Sequence, residues 1–127
     1  MGLDNYWIKP GESKSEPLYF DPPLSFEDDY DNQLRREGWA YFPGRAWRVV
    51  IKQITEVSLH SKRLDNATIR RMAERLEAYA ARPWRLPPTP PNLHRKGWEF
   101  VSEEWFRDLA RLFRAYGDAG YEMSGDW

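Results

Sequence analysis

Arg45 and Arg48 open the stretch of this chain whose residue types and spacing point to binding chemistry, Trp39 to Val57, WAYFPGRAWRVVIKQITEV. An aromatic strand there breaks at Pro43-Gly44 and the chain restarts as a helix. A helix start leaves its first backbone N–H groups without helical partners, and the macrodipole adds partial positive charge. With Arg45 beside them, those amides can hold a phosphate or a carboxylate. The stretch is not a Walker loop, because FPGRAW lacks the first glycine, the spacing and the Lys-Ser/Thr pair.

Catalytic side chains are harder to find. The two histidines, His60 and His94, fall in expected loops. They lack the spacing of a metal pair, and neither lies near a serine in a nucleophile-elbow setting. A carboxylate-pair enzyme stays open as an alternative, since Asp4, Asp21 and Asp126 can converge in space. The acidic run Glu27, Asp28, Asp29 and Asp31 fails as a calcium loop. Counted from Asp29, Leu34 stands where the sharp-turn glycine belongs, and Ala40 where the bidentate glutamate belongs. The expectation is an exposed acidic loop, no metal, no cofactor, no catalytic residue, and binding without turnover.

At 127 residues the chain is long enough for one domain with a single core, expected to span 1–127 with a Pro-rich connector at 82–92 inside it. Zero cysteines exclude thiolate zinc sites and thiol nucleophiles, and fit a reducing compartment. No apolar run approaches the length that spans a bilayer, and MGLDNYWIKP has neither a basic n-region nor an apolar h-region. A cytoplasmic protein without membrane contact is expected, in the host cytoplasm if it is phage-encoded. The net charge of −1 argues against general nucleic-acid binding. Charge is uneven, however: 4 Lys/Arg face 9 Asp/Glu in residues 1–40, 12 face 5 in 41–100, and 3 face 6 in 101–127. A basic middle between acidic ends creates a local field that attracts anions, unless the charges neutralise one another across the fold.

The elements that must position these residues follow from pattern. Residues 2–8, GLDNYWI, read as a strand that Pro10-Gly11 stops, with Asp4 and Asn5 either at its mouth or held as a polar pair. Residues 11–23 are loop. Trp39, Tyr41 and Phe42 form a second strand. Trp47, Val50, Ile51, Ile54 and Val57 then make the buried stripe of a helix, with Arg45, Arg48, Lys52 and Thr55 off it. Asp65 caps a second helix through Thr68, with Leu64 stapled to Ile69, and Ser102 caps a third, with Val101 stapled to Phe106. Gly117 is expected to stop the third helix. The prolines of 82–92 bring Trp84 back onto the core, and the tail GYEMSGDW pairs with the N-terminal or the Trp39 strand. The expected fold is α+β: a small, largely antiparallel sheet of N-terminal, Trp39 and C-terminal strands packed against three helices.

Aromatic residues make up 16% of the chain, more than a core of this size needs. Flat rings stack on bases, and guanidinium forks bind phosphate. Asn5, Trp7, Trp39, Phe42, Gly44, Arg45 and Arg48 are therefore expected to line a pocket that Tyr121 and Trp127 close. A nucleotide-like small molecule suits it, and a homo-oligomer that builds the pocket between symmetric copies is compatible.

Residues 1–8 and roughly 39–80 also resemble a group of small phage, prophage and environmental prokaryotic proteins. These begin MGLDNYW and carry a Phe-x-Gly-[Lys/Arg]-x-aromatic element, here Phe42-Pro43-Gly44-Arg45-Ala46-Trp47. The resemblance transfers no chemistry. It implies a phage-like setting, in which a compact protein acts by sequestration. The expectation is a counter-defence sponge for a phosphate-bearing nucleotide-derived signal. The alternative is a protein-interaction inhibitor of a host defence complex, acting through acidic residues 27–31 and exposed aromatics.

Overall fold

The computed structural model describes residues 4–27, 33–36, 38–85 and 101–126. Five short strands and three helices follow in the order β1 (Asp4–Ile8), β2 (Arg35–Arg36), β3 (Trp39–Phe42), α1 (Gly44–Thr55), β4 (Arg63–Leu64), α2 (Asn66–Ala80), α3 (Glu103–Asp118) and β5 (Glu122–Asp126). The sheet order is β2-β3-β1-β5-β4, and every neighbouring pair is antiparallel. This is the expected α+β architecture, with helices packed against the sheet. The tail pairs with the N-terminal strand, Tyr6 opposite Ser124 and Trp7 opposite Met123. No helix among the described residues is long and apolar enough to cross a membrane.

Strand alternation divides the aromatics between two faces. Trp7, Phe42 and Met123 point to the helices and join Phe106, Leu112, Phe113 and Tyr116 in the core. Tyr6, Trp39 and Tyr41 point the other way, with Tyr6 and Trp39 ring centroids 5.2 Å apart. The two edge strands, β2 and β4, are only two residues long and carry arginine, which gives another chain little to pair with. Neither edge strand is legible as a strand from its sequence.

The caps of α2 and α3 are those expected. Asp65 Oδ1 accepts from the Thr68 amide at 2.8 Å, and Ser102 Oγ accepts from the Trp105 amide at 3.1 Å. Leu64, Ile69, Val101 and Phe106 are all buried. Trp84 returns to the core against Phe106, with centroids 5.8 Å apart. Connector residues 86–92, the acidic residues Asp28, Asp29 and Asp31, His94 and Trp127 lie outside the described residues.

Three expectations need correction. Thr55, placed off the buried stripe, is buried, and its hydroxyl donates to Ile51 O at 2.7 Å while accepting from the Val57 amide. Satisfied this way, a small polar side chain fits the end of an apolar face. Val57 lies beyond the helix, which ends at Thr55. Gly117 does not stop α3; the helix continues to Asp118 and ends in a Schellman motif at Gly120, whose φ is 86°. There Tyr121 N donates to Tyr116 O and Gly120 N to Gly117 O.

Gly117 instead lets α2 and α3 approach. A Cβ there would lie 3.1 Å from Arg70 Cγ and 3.5 Å from Ile69 Cγ2. Gly117→Leu is expected to cost about 1–3 kcal/mol by overpacking. Gly117→Ala should be near neutral, because the Arg70 stem can shift and alanine regains about 0.5–1 kcal/mol of helix propensity. Urea denaturation midpoints of the two variants check this, and a leucine variant as stable as the alanine one would refute the close approach.

Candidate functional site

Packing decides which of the expected pocket residues can meet a ligand. Trp7 is 1% exposed and lies flat on Tyr116, with centroids 4.5 Å apart and planes at 5°. Its edge meets Phe113 and Phe42. Phe42 is fully buried, and Tyr121 is buried with its hydroxyl donating to Glu16 O at 2.7 Å. Neither Trp7 nor Phe42 has an open face, so their role as pocket lining is corrected: the even-odd alternation that buries Asn5 and Trp7 also turns them into the sheet-helix interface. Trp39 stands on the opposite face of the sheet, half-buried under Lys14, whose ammonium lies 5.2 Å from its ring. Gly44 is buried at the first position of α1, and Arg45 next to it is exposed.

The α1 start has no side-chain cap and no acidic residue in its first turn. Among the described residues, neither Arg45 nor Arg48 has a carboxylate partner, whereas Arg63, Arg75, Arg107, Arg111 and Arg114 each face one. An unpaired guanidinium keeps its full capacity for a bidentate anion. The two arginines do not share a ring-lined pocket, however. Arg48 turns toward a cleft of about 580 Å³ on the outer flank of α1.

This cleft grows from helix geometry. Trp47, Val50 and Ile51 occupy the core side of α1, which leaves Arg48, Lys52 and Gln53 on the flank. Val49 supplies a half-buried apolar floor, backed by the fully buried Leu59, and His60 stands on the far wall. Lys52 Nζ donates to Glu56 O at 3.1 Å, closing the helix C-terminus. Glu56 then takes a left-handed backbone, φ 63° and ψ 13°, and this turn folds Ser58 to His60 back to form the second wall.

Glu56 is the odd residue in this arrangement. A side chain in the left-handed region carries a steric cost that glycine would avoid, and the position is a usual one for glycine. Its Oε2 accepts from Arg75 Nη1 at 2.7 Å, and the same guanidinium reaches Thr55 O at 3.3 Å. The hydrogen bond and charge of Arg75, with Lys52 adding, hold the Glu56 carboxyl below the usual carboxylate range. An ion pair this exposed returns little stability, so packing does not account for a glutamate here.

Asn5 enters the site from behind. It is fully buried, and its Nδ2 donates to Leu59 O at 3.1 Å, which ties the cleft wall to the central strand. Its Oδ1 and the indole Nε1 of Trp7 have no hydrogen-bond partner among the described residues. Of the nine expected site residues, Arg48 alone lines this cleft, and Asn5 supports it; Trp127 falls outside the described residues. Lys52, Glu56, Ser58 and His60 were missed. The four-residue spacing of Arg48, Lys52 and Glu56 was a readable signal for one flank, but the left-handed turn that adds Ser58 and His60 was not.

A second, shallower groove of about 480 Å³ runs past Tyr19, Phe20, Glu27 and Arg35. Tyr19 is 80% exposed there, with the Arg35 guanidinium 5.8 Å from its ring. No cluster of His, Asp or Glu suited to a metal occurs among the described residues. Comparison with family models, with curated proteins and with solved structures finds no match, so function must be argued from this geometry.

Proposed function

We propose that this chain is a non-catalytic binding protein that captures a phosphate-bearing, nucleotide-derived small molecule in the cleft beside α1. One observation carries the reading: Arg48, without a carboxylate partner among the described residues, and Lys52 stand one turn apart over a cavity of about 580 Å³ with an apolar floor. Two cations at that spacing can grip the oxygens of one phosphate, and the half-buried Val49 offers an apolar contact for a flat group. Capture as a counter-defence function rests on the phage-like resemblance of residues 1–8 and 39–80.

Isothermal titration with a panel of nucleoside phosphates, cyclic nucleotides and ADP-ribose derivatives tests the reading. Binding is expected in the micromolar range or tighter, with recovered ligand unchanged in mass. Arg48→Ala should weaken it roughly tenfold to a hundredfold, the loss of a charge-assisted contact of about 1.5–3 kcal/mol. A panel without binding, or an Arg48→Ala variant that binds as well as the parent, would remove this reading.

The exposed Tyr19 beside Glu27 favours a second one, in which the protein inhibits a host complex through that groove and the acidic run. Co-purification of a host protein that survives Arg48→Ala and is lost on neutralising Asp28 and Asp29 would select it.

A further inference from the structure

We infer that the cleft recognises a ribose phosphate as a unit, with Arg48 and Lys52 on the phosphate and the Glu56 carboxylate on the ribose hydroxyls. The inference rests on the anion-binding reading above and names its ligand class.

The cleft is bipolar. Arg48, Lys52 and the capping residue Glu56 follow at four-residue spacing along one flank, so their backbone positions rise along the helix axis by about 6 Å per step. A ribose 5-phosphate spans a similar distance from its phosphate to its 2′- and 3′-hydroxyls. A carboxylate beside an anion cleft would only repel a simple phosphate. It becomes useful when the ligand also brings hydroxyl donors, which is how acidic side chains select ribose in dinucleotide sites.

Three features of Glu56 agree with that role. Arg75 occupies Oε2, while no hydrogen bond to Oε1 is made among the described residues, which leaves acceptor capacity on a residue that lines the cleft. Arg75 also reaches Thr55 O, so the carboxylate is braced from α2 rather than free to swing onto Lys52. Finally, the glutamate is held in a backbone conformation that disfavours it, the kind of local strain found where a side chain is kept for a contact.

The test compares three probes on the full chain by titration calorimetry or by amide chemical shifts: adenosine 5′-monophosphate, its 2′-deoxy counterpart and inorganic phosphate. The ribonucleotide is expected to bind about tenfold to a hundredfold tighter than the deoxynucleotide, the value of one hydrogen bond to a charged acceptor. Glu56→Gly, which suits the left-handed backbone and so should fold, is expected to bring that ratio to about one while inorganic phosphate binds more tightly. Glu56→Gln, which keeps the side-chain length, should lose the repulsion of phosphate and most of the ribose preference. Equal binding of ribo and deoxy probes, still dependent on Arg48, would overturn this inference and leave the anion cleft standing. No binding of any probe would overturn both.

Discussion

Trp7→Ala is expected to destabilise the domain by about 3–5 kcal/mol, the usual loss for a buried tryptophan or phenylalanine. The ring is 1% exposed, stacked on Tyr116 and edged by Phe42 and Phe113, so truncation opens a cavity at the meeting point of β1, β3 and α3. Domains of this size hold about 5–15 kcal/mol in all, so the variant should unfold at a far lower urea concentration or not fold at all. Trp7→Phe should lose less, because it also removes the indole N–H that is buried without a partner among the described residues. The measurement separates a core tryptophan from a ligand-stacking one. A stable alanine variant with weakened ligand binding would show that the ring faces a ligand after all.

The second large effect is alkaline. Burial pushes the Tyr116 hydroxyl up to about 12 from an ordinary value near 10, opposed by its hydrogen bond from the Leu18 amide. Burial also raises Tyr121, with Glu12 and Glu16 adding. A folded-state value above the unfolded one favours the protonated fold. The stabilisation is therefore complete below pH 10 and is lost as pH rises from 10 through 12. Two units at 1.36 kcal/mol each give a loss of roughly 2–3 kcal/mol across that window from Tyr116. Both hydroxyls clamp the segment that leaves β1, Tyr116 through Leu18 and Tyr121 through Glu16 O, so this segment should detach first. Urea titrations at pH 9, 10, 11 and 12 read the slope. Tyr116→Phe should flatten it, at the cost of about 1–3 kcal/mol at neutral pH for the orphaned Leu18 amide. A parent protein with no added loss over that window relative to Tyr116→Phe would contradict the burial of this hydroxyl.

Local signals carried most of the fold. The apolar spacing of Trp47, Val50 and Ile51, the Asp65 and Ser102 caps, and the aromatic strands are short-range features, and each is present in the structure. Their assembly into an antiparallel sheet backed by helices follows from the need to bury one side of every element. The site was less legible. Arg45 and Arg48 were marked by their place after Pro43-Gly44, and both remain without a carboxylate partner among the described residues. The rings that were expected beside them were not distinguishable in sequence from core rings, since Trp7 and Trp39 have the same chemistry and only the sheet face separates them.

The sequence by itself determined the identity and caps of the helices, the pairing of terminal strand with terminal strand as one of two options, and the basic flank of α1, because these depend on residues within a turn or two of each other. Tertiary structure alone decided which aromatics became core, where Glu56 turns the chain left-handed, and that Ser58 to His60 return to face Arg48 and Lys52. Those outcomes depend on contacts between residues far apart in the chain, such as Asn5 with Leu59, and no local spacing encodes them.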